Sequence, residues 1–103
     1  MGENIRLSHQ GLRLLRLLMD RPRESVAGVD IGKQLKIGSG TLYPLLARFE
    51  SAGWLRSEWE DIDPTIEKRP KRRFYRLTAL GQNNAKRALD DLAQPTGELK
   101  WTY

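Results

Sequence analysis

Apolar residues recur along most of the chain at helical spacing, and the breaks in that spacing divide it into helix, helix, helix, hairpin, helix. The first helix is predicted over about Ser8–Asp20, with Ser8 placed as its N-cap. Arg13, Arg16 and Asp20 share one side of it, and Leu12, Leu14, Leu15, Leu17, Leu18 and Met19 take nearly all the rest. A surface helix needs a narrower apolar stripe. The excess is read as burial on two sides, one against the chain's own core and one against a partner subunit. The other reading is a helix sunk deeply into its own domain. Pro22 stops the helix.

Ser25–Gly28 reads as a loop, followed by a short helix over about Val29–Lys36. Ile31 and Leu35 share its buried face, with Lys33, Gln34 and Lys36 toward solvent. The turn Ile37-Gly38-Ser39-Gly40 leads into a third helix, about Gly40–Ala52, in which Leu42, Leu45, Leu46 and Phe49 follow the i, i+3, i+4, i+7 pattern. Ser39 is placed as its N-cap, Pro44 close to its start, and Gly53 as a left-handed cap at its end. Two short helices joined by a glycine-bearing turn satisfy the helix-turn-helix pattern. Trp54–Glu60 and Arg72–Leu77 have the alternation of half-buried strands. Between them, Asp61–Lys71 holds Asp63-Pro64 and Arg69-Pro70 and cannot continue a strand or helix, so it reads as a hairpin tip, a wing. Thr78 caps a last helix, about Ala79–Ala93, striped by Ala85, Ala88, Leu89 and Leu92 and ended by Pro95 and Gly97. The expected fold is mainly α with a small β-hairpin: a winged helix-turn-helix with a C-terminal dimerisation helix. In one structural domain, residues 1–78 form the winged unit, 79–95 the helix packed on it and 96–103 a tail.

Composition narrows what such a unit can do. At 103 residues the chain fits one domain, and a chain this short buries a modest fraction of its surface, which favours pairing. With 39% hydrophobic and 30% charged residues it reads as globular. The absence of cysteine excludes a disulfide framework, a thiolate metal site and a thiol nucleophile. No stretch approaches the roughly 20 apolar residues of a membrane span, and Met1–Leu7 lacks the apolar core of a secretory signal, so the expected compartment is the cytoplasm. The formal charge of +5 favours a polyanionic partner.

The charge is concentrated. Lys68-Arg69-Pro70-Lys71-Arg72-Arg73 places five cations in six positions at the expected wing. There Lys68, Arg69, Lys71 and Arg72 can grip a phosphate backbone or probe a minor groove. Glu58, Glu60 and Asp61 can cancel part of that charge across the hairpin, at Arg73 or Arg76 more readily than at Lys68, Arg69 and Lys71 of the tip. On the third helix, Ser39, Thr41, Tyr43 and Arg48 face outward, where the start of a recognition helix meets base edges and phosphates. Gly38 and Gly40 permit close backbone approach, and Lys33 flanks the surface. His9 is the only histidine and has no nucleophile partner, so no triad is expected and the chain is read as not an enzyme. The hairpin carboxylates lack the spacing of a calcium loop, and neither a metal nor a cofactor is expected.

The run Gly40-Thr41-Leu42-Tyr43-Pro44-Leu45-Leu46-Ala47-Arg48-Phe49-Glu50 resembles the third-helix signature of PadR-like transcriptional regulators. The likeness continues through Ala52-Gly53-Trp54-Leu55 and Ser57-Glu58-Trp59-Glu60, and resumes in Arg69-Pro70-Lys71-Arg72 and Tyr75-Arg76-Leu77-Thr78, with Gly81 three residues on. The resemblance implies a bacterial, nucleoid-associated homodimer that binds double-stranded DNA, usually repressing promoters at inverted-repeat operators. It also implies, as in the compact subgroup, a last helix pairing with the first across the dimer, with Leu14, Leu17, Leu18, Ala85, Ala88, Leu89 and Leu92 in the interface. Several relatives sense small aromatic molecules there, so an effector of that class is implied, although no residue here specifies one. The family's His-Gly-Tyr-Glu-Ile-like opening of the second helix is replaced by Ala27-Gly28-Val29-Asp30-Ile31. Two other readings stay open at this point: a winged helix that binds proteins, and a nucleic-acid binder indifferent to sequence.

Overall fold

The computed structural model describes residues 7–93; the tail expected over 96–103, with Pro95, Gly97 and Trp101, lies outside the described residues. The chain runs α1 (His9–Met19), β1 (Val26–Ala27), α2 (Gly28–Leu35), α3 (Ser39–Ser51), β2 (Leu55–Trp59), α4 (Pro64–Glu67), β3 (Arg73–Leu77) and α5 (Ala79–Ala93). It is mostly helical, with a three-stranded antiparallel sheet in the order β1-β3-β2.

Local chemistry sets the helix ends. Ser8 Oγ accepts the Gly11 N–H at 3.0 Å and starts α1, as its position in the sequence implies. α2 stops where Lys36 turns left-handed at φ 58°, and Arg13 Nη2 donates to the freed Leu35 carbonyl at 2.7 Å. Arg13 is therefore tied to α2 and only half exposed. α3 ends in a Schellman motif: Gly53, at φ 84°, donates to Glu50 O, and Trp54 N donates to Phe49 O at 2.9 Å. The apolar contact that usually accompanies the motif is present, with the Phe49 and Trp54 rings 5.3 Å apart. Thr78 Oγ1 accepts the Gly81 N–H at 2.9 Å and caps α5.

Several expectations are corrected. Gly38, not Ser39, is the N-cap of α3, and its carbonyl takes the Leu42 N–H at 2.9 Å; Ser39 is the first helical residue. Pro44 consequently lies inside the helix rather than near its start. The carbonyl it leaves without a donor belongs to Gly40, which is exposed and within reach of water. The loop expected over Ser25–Gly28 contains β1, whose Val26 and Ala27 pair with Tyr75 and Phe74 of β3. The wing tip is not wholly irregular: Asp63 Oδ1 caps Thr65 N at 2.9 Å and begins the single turn α4.

The core gathers Leu14, Leu15 and Leu18 of α1, Ile31 and Leu35 of α2, and Leu42, Leu45, Leu46 and Phe49 of α3. Trp54, Leu55, Tyr75, Leu77 and Ala85 close it from the sheet and α5. Leu14, Leu18 and Ala85 are 0%, 1% and 0% exposed in the single chain, so they have no surface to offer a partner. Those three expected interface residues are core residues instead. Leu17 is partly buried against the same core. What faces outward is a groove of about 550 Å³ between α1 and α5, lined by Leu7, Leu12, Leu89 and Leu92 with His9, Arg13 and Arg16.

Candidate nucleic-acid interface

With Leu42, Leu45, Leu46 and Phe49 sunk in the core, α3 turns Ser39, Gly40, Thr41, Tyr43 and Arg48 outward. Tyr43 leans back over the start of α2 and is 38% exposed. A Cβ added at Gly28 would lie 2.8 Å from the Tyr43 hydroxyl, so glycine there makes room for the ring. Beside it the hairpin β2–β3 brings up the basic run. Lys33 and Tyr43 from the helices line one groove of about 550 Å³ together with Trp59, Arg69, Lys71 and Arg72 of the hairpin. Five of the expected contact residues are thus brought together: Lys33, Tyr43, Arg69, Lys71 and Arg72. Ser39 borders a neighbouring hollow with Lys33 and Tyr43. Gly40, Thr41 and Arg48 stand exposed on α3 outside both, and nothing outside α3 lies within 4 Å of a Cβ built on Gly40. Lys68 is exposed at the tip, left-handed at φ 58°.

The tip cations differ in state. Arg69 grips Glu60 through two parallel bonds, Nη1 to Oε1 at 2.7 Å and Nη2 to Oε2 at 2.9 Å. Arg69, expected to be neutralised less readily than Arg73 or Arg76, is instead the one of the three that is paired: the strand register returns the chain beside Glu60, within reach of the guanidinium fork. Glu60 Oε1 also accepts the Arg72 backbone N–H at 3.1 Å, and the Glu60 N–H donates to Arg72 O at 2.8 Å. Glu60 thereby closes the loop through both its carboxylate and its backbone. The Arg69 bond, with the Arg72 N–H beside it, holds the Glu60 carboxyl at about 2, well below its ordinary 4.5. The same bond raises Arg69. Lys68, Lys71 and Arg72 make no ion pair among the described residues and are exposed.

Sequence reasoning missed Trp59 as part of this surface. It is 59% exposed in the groove, and the Arg73 guanidinium stands 4.7 Å from its ring. Its place there is set by the strand register that pairs Trp59 with Arg73. Among the described residues no cluster of three His, Asp or Glu could share a metal ion, and no helix is long and apolar enough to cross a membrane.

No curated protein sequence is significantly similar to this chain. Solved structures are. A PadR-like transcription factor from Bacteroides fragilis is 26% identical at a TM-score of 0.66, with 82% of each chain covered. A transcriptional regulator homologue from Pyrococcus horikoshii is 23% identical at a TM-score of 0.67, covering 80% of this chain and 74% of that one. AbfR of Staphylococcus epidermidis, in its DNA-bound form, shares the fold at a TM-score of 0.69 and 22% identity, over 88% of this chain and 60% of its own. The PadR-like transcriptional regulator family model matches residues 14–87. With the recognition helix, the hairpin and the groove between them inside that span, the chain belongs to the PadR-like family of DNA-binding, winged-helix transcriptional regulators.

Proposed function

We propose that the protein is a cytoplasmic repressor that binds an inverted-repeat operator as a homodimer. The observation that carries this reading is the shared groove, in which Tyr43 of the recognition helix and Lys71 and Arg72 of the wing line one surface. Ser39, Thr41 and Tyr43 meet base edges or adjacent phosphates in the major groove, as hydroxyls suit either donors or acceptors. Lys33 and Arg48 flank them on phosphate. Lys68, Lys71 and Arg72 hold the wing on the backbone or in the minor groove, and Arg69 keeps the wing in shape through Glu60.

A second copy of the chain covers the apolar groove between α1 and α5. Leu92 is 44% exposed there, Ala88 and Leu89 are half-buried, and Leu12 faces them across the groove. Pairing through this surface sets two recognition helices about 34 Å apart, one turn of the duplex. Bound DNA then excludes polymerase, and no catalytic step is involved.

Selection of duplexes from a random pool at roughly 150 mM salt, where non-specific phosphate binding is suppressed, tests the reading. An enriched inverted repeat is the expected result. Retention without enrichment would show a binder indifferent to sequence, and no retention would point to a protein-binding winged helix.

A further inference from the structure

The outer face of the sheet carries a second basic site, apart from the groove assigned to DNA. The β2–β3 register sets Arg56 directly opposite Arg76. Residues so paired leave the sheet on the same face with Cβ atoms about 5 Å apart, and like charges there repel. Both arginines are exposed. Arg23, from the turn after α1, lines the same cavity of about 370 Å³, with Thr78, Ala79 and Gln82 at the start of α5. Gln82 Nε2 donates to Pro22 O at 3.3 Å, which ties the Arg23 turn to α5.

No carboxylate lines the cavity, and among the described residues Arg23, Arg56 and Arg76 make no ion pair. Other arginines of the chain are engaged: Arg69 on Glu60, Arg21 on Glu24, Arg13 on Leu35 O and Arg73 on Trp59. Arg23, Arg56 and Arg76 thus line one cavity, none of them ion-paired, beside the positive end of a 15-residue helix; Glu58, opposite Phe74, shares the sheet face of Arg56 and Arg76 but pairs with neither.

We propose that this cavity binds a phosphoryl group, with Arg23, Arg56 and Arg76 donating to its oxygens. A tetrahedral dianion offers each guanidinium an acceptor edge and turns the Arg56–Arg76 repulsion into shared attraction. Adjacent strand residues point to opposite faces, so Arg76 faces away from Tyr75, which lines the DNA groove. The two sites can therefore be filled together. The phosphoryl group comes either from the backbone of a DNA segment or from a small phosphorylated molecule.

The test follows the arginine Nε–Hε resonances of the ¹⁵N-labelled full chain during titration with inorganic phosphate, against sodium chloride at matched ionic strength. Signals of Arg23, Arg56 and Arg76 are expected to move along a saturating curve with phosphate and not with chloride. In the double variant Arg56→Thr, Arg76→Thr, phosphate affinity read on Arg23 should fall by at least about tenfold, the loss of one charged hydrogen bond or more. The same variant should melt no lower than the parent without phosphate, because the repulsion is gone. A parallel titration with a duplex separates the sources: movement of these signals with the duplex assigns the phosphate to DNA, and movement with inorganic phosphate alone assigns it to a small molecule. Equal, non-saturating shifts with phosphate and chloride and none with the duplex, or unchanged affinity in the double variant, would overturn the proposal.

Discussion

Glu60 lowers the positive charge of a surface assigned to DNA, yet its contacts give it an ordering role. Its two oxygens take both Arg69 nitrogens and the Arg72 N–H, so the basic loop is held closed around a carboxylate. If charge alone mattered, Glu60→Ala would tighten duplex binding. Because the loop loses its tie, the variant should instead bind roughly three- to tenfold more weakly, the worth of about one hydrogen bond; fluorescence anisotropy with a fixed duplex reads this, and tighter binding would refute the tie. The fold favours the charged form of Glu60, so its contribution is complete above the ordinary 4.5 and is lost as pH falls from there toward 2. Arg69 side-chain resonances of the folded protein should hold steady through that fall and move toward free-arginine positions only as pH approaches about 2, where the folded carboxyl takes its proton. Gly28 offers a second residue-scale test. Gly28→Ala presses on the movable end of the Tyr43 ring, so thermal stability should change little while duplex binding weakens, with Tyr43 displaced from the groove.

At the scale of elements, the first three helices were legible because each carries apolar residues at helical spacing and punctuation that chemistry requires: Ser8, Gly53 and Pro22 act where their positions suggest. β1 was not legible, since two residues show no alternation and their pairing with β3 is a tertiary fact. α4 was hidden because Asp63-Pro64 punctuates a loop and opens a helix equally well. The pairing of Arg69 with Glu60 and the facing of Arg56 with Arg76 both depend on strand register, which the sequence leaves open. Excess leucine on α1 left open which leucines belong to the core; packing places Leu14, Leu15 and Leu18 there and Leu12 on the outer groove. This division is testable. Leu14→Ala should cost roughly 2–5 kcal/mol in denaturant unfolding, as for any fully buried leucine. Leu89→Asp with Leu92→Asp should leave a folded monomer by sedimentation, since both residues line the outer groove. On the wing, replacing Lys71 and Arg72 together by alanine should lower the salt slope of duplex binding by about 1.8, one phosphate contact each. An unchanged slope would remove the wing from the contacts.

For the whole molecule, the net charge of +5 understates the polarity of the arrangement. Cations crowd the hairpin and its groove, the α1–α5 groove is apolar, and the outer sheet face keeps its own arginine cluster. Each surface thereby suits a different occupant: duplex, second copy and phosphoryl group. The fold was largely visible in the sequence, as were the residues of the candidate surface, because the helix-turn-helix and the basic run are local patterns. Hydroxyl-radical footprinting of the protein on its selected duplex reads out the paired recognition helices themselves. Two protected tracts related by two-fold symmetry are expected, on one face of the DNA and one helical turn apart, about 10 base pairs between centres. A single protected tract, or uniform protection without a repeat, would contradict that pairing.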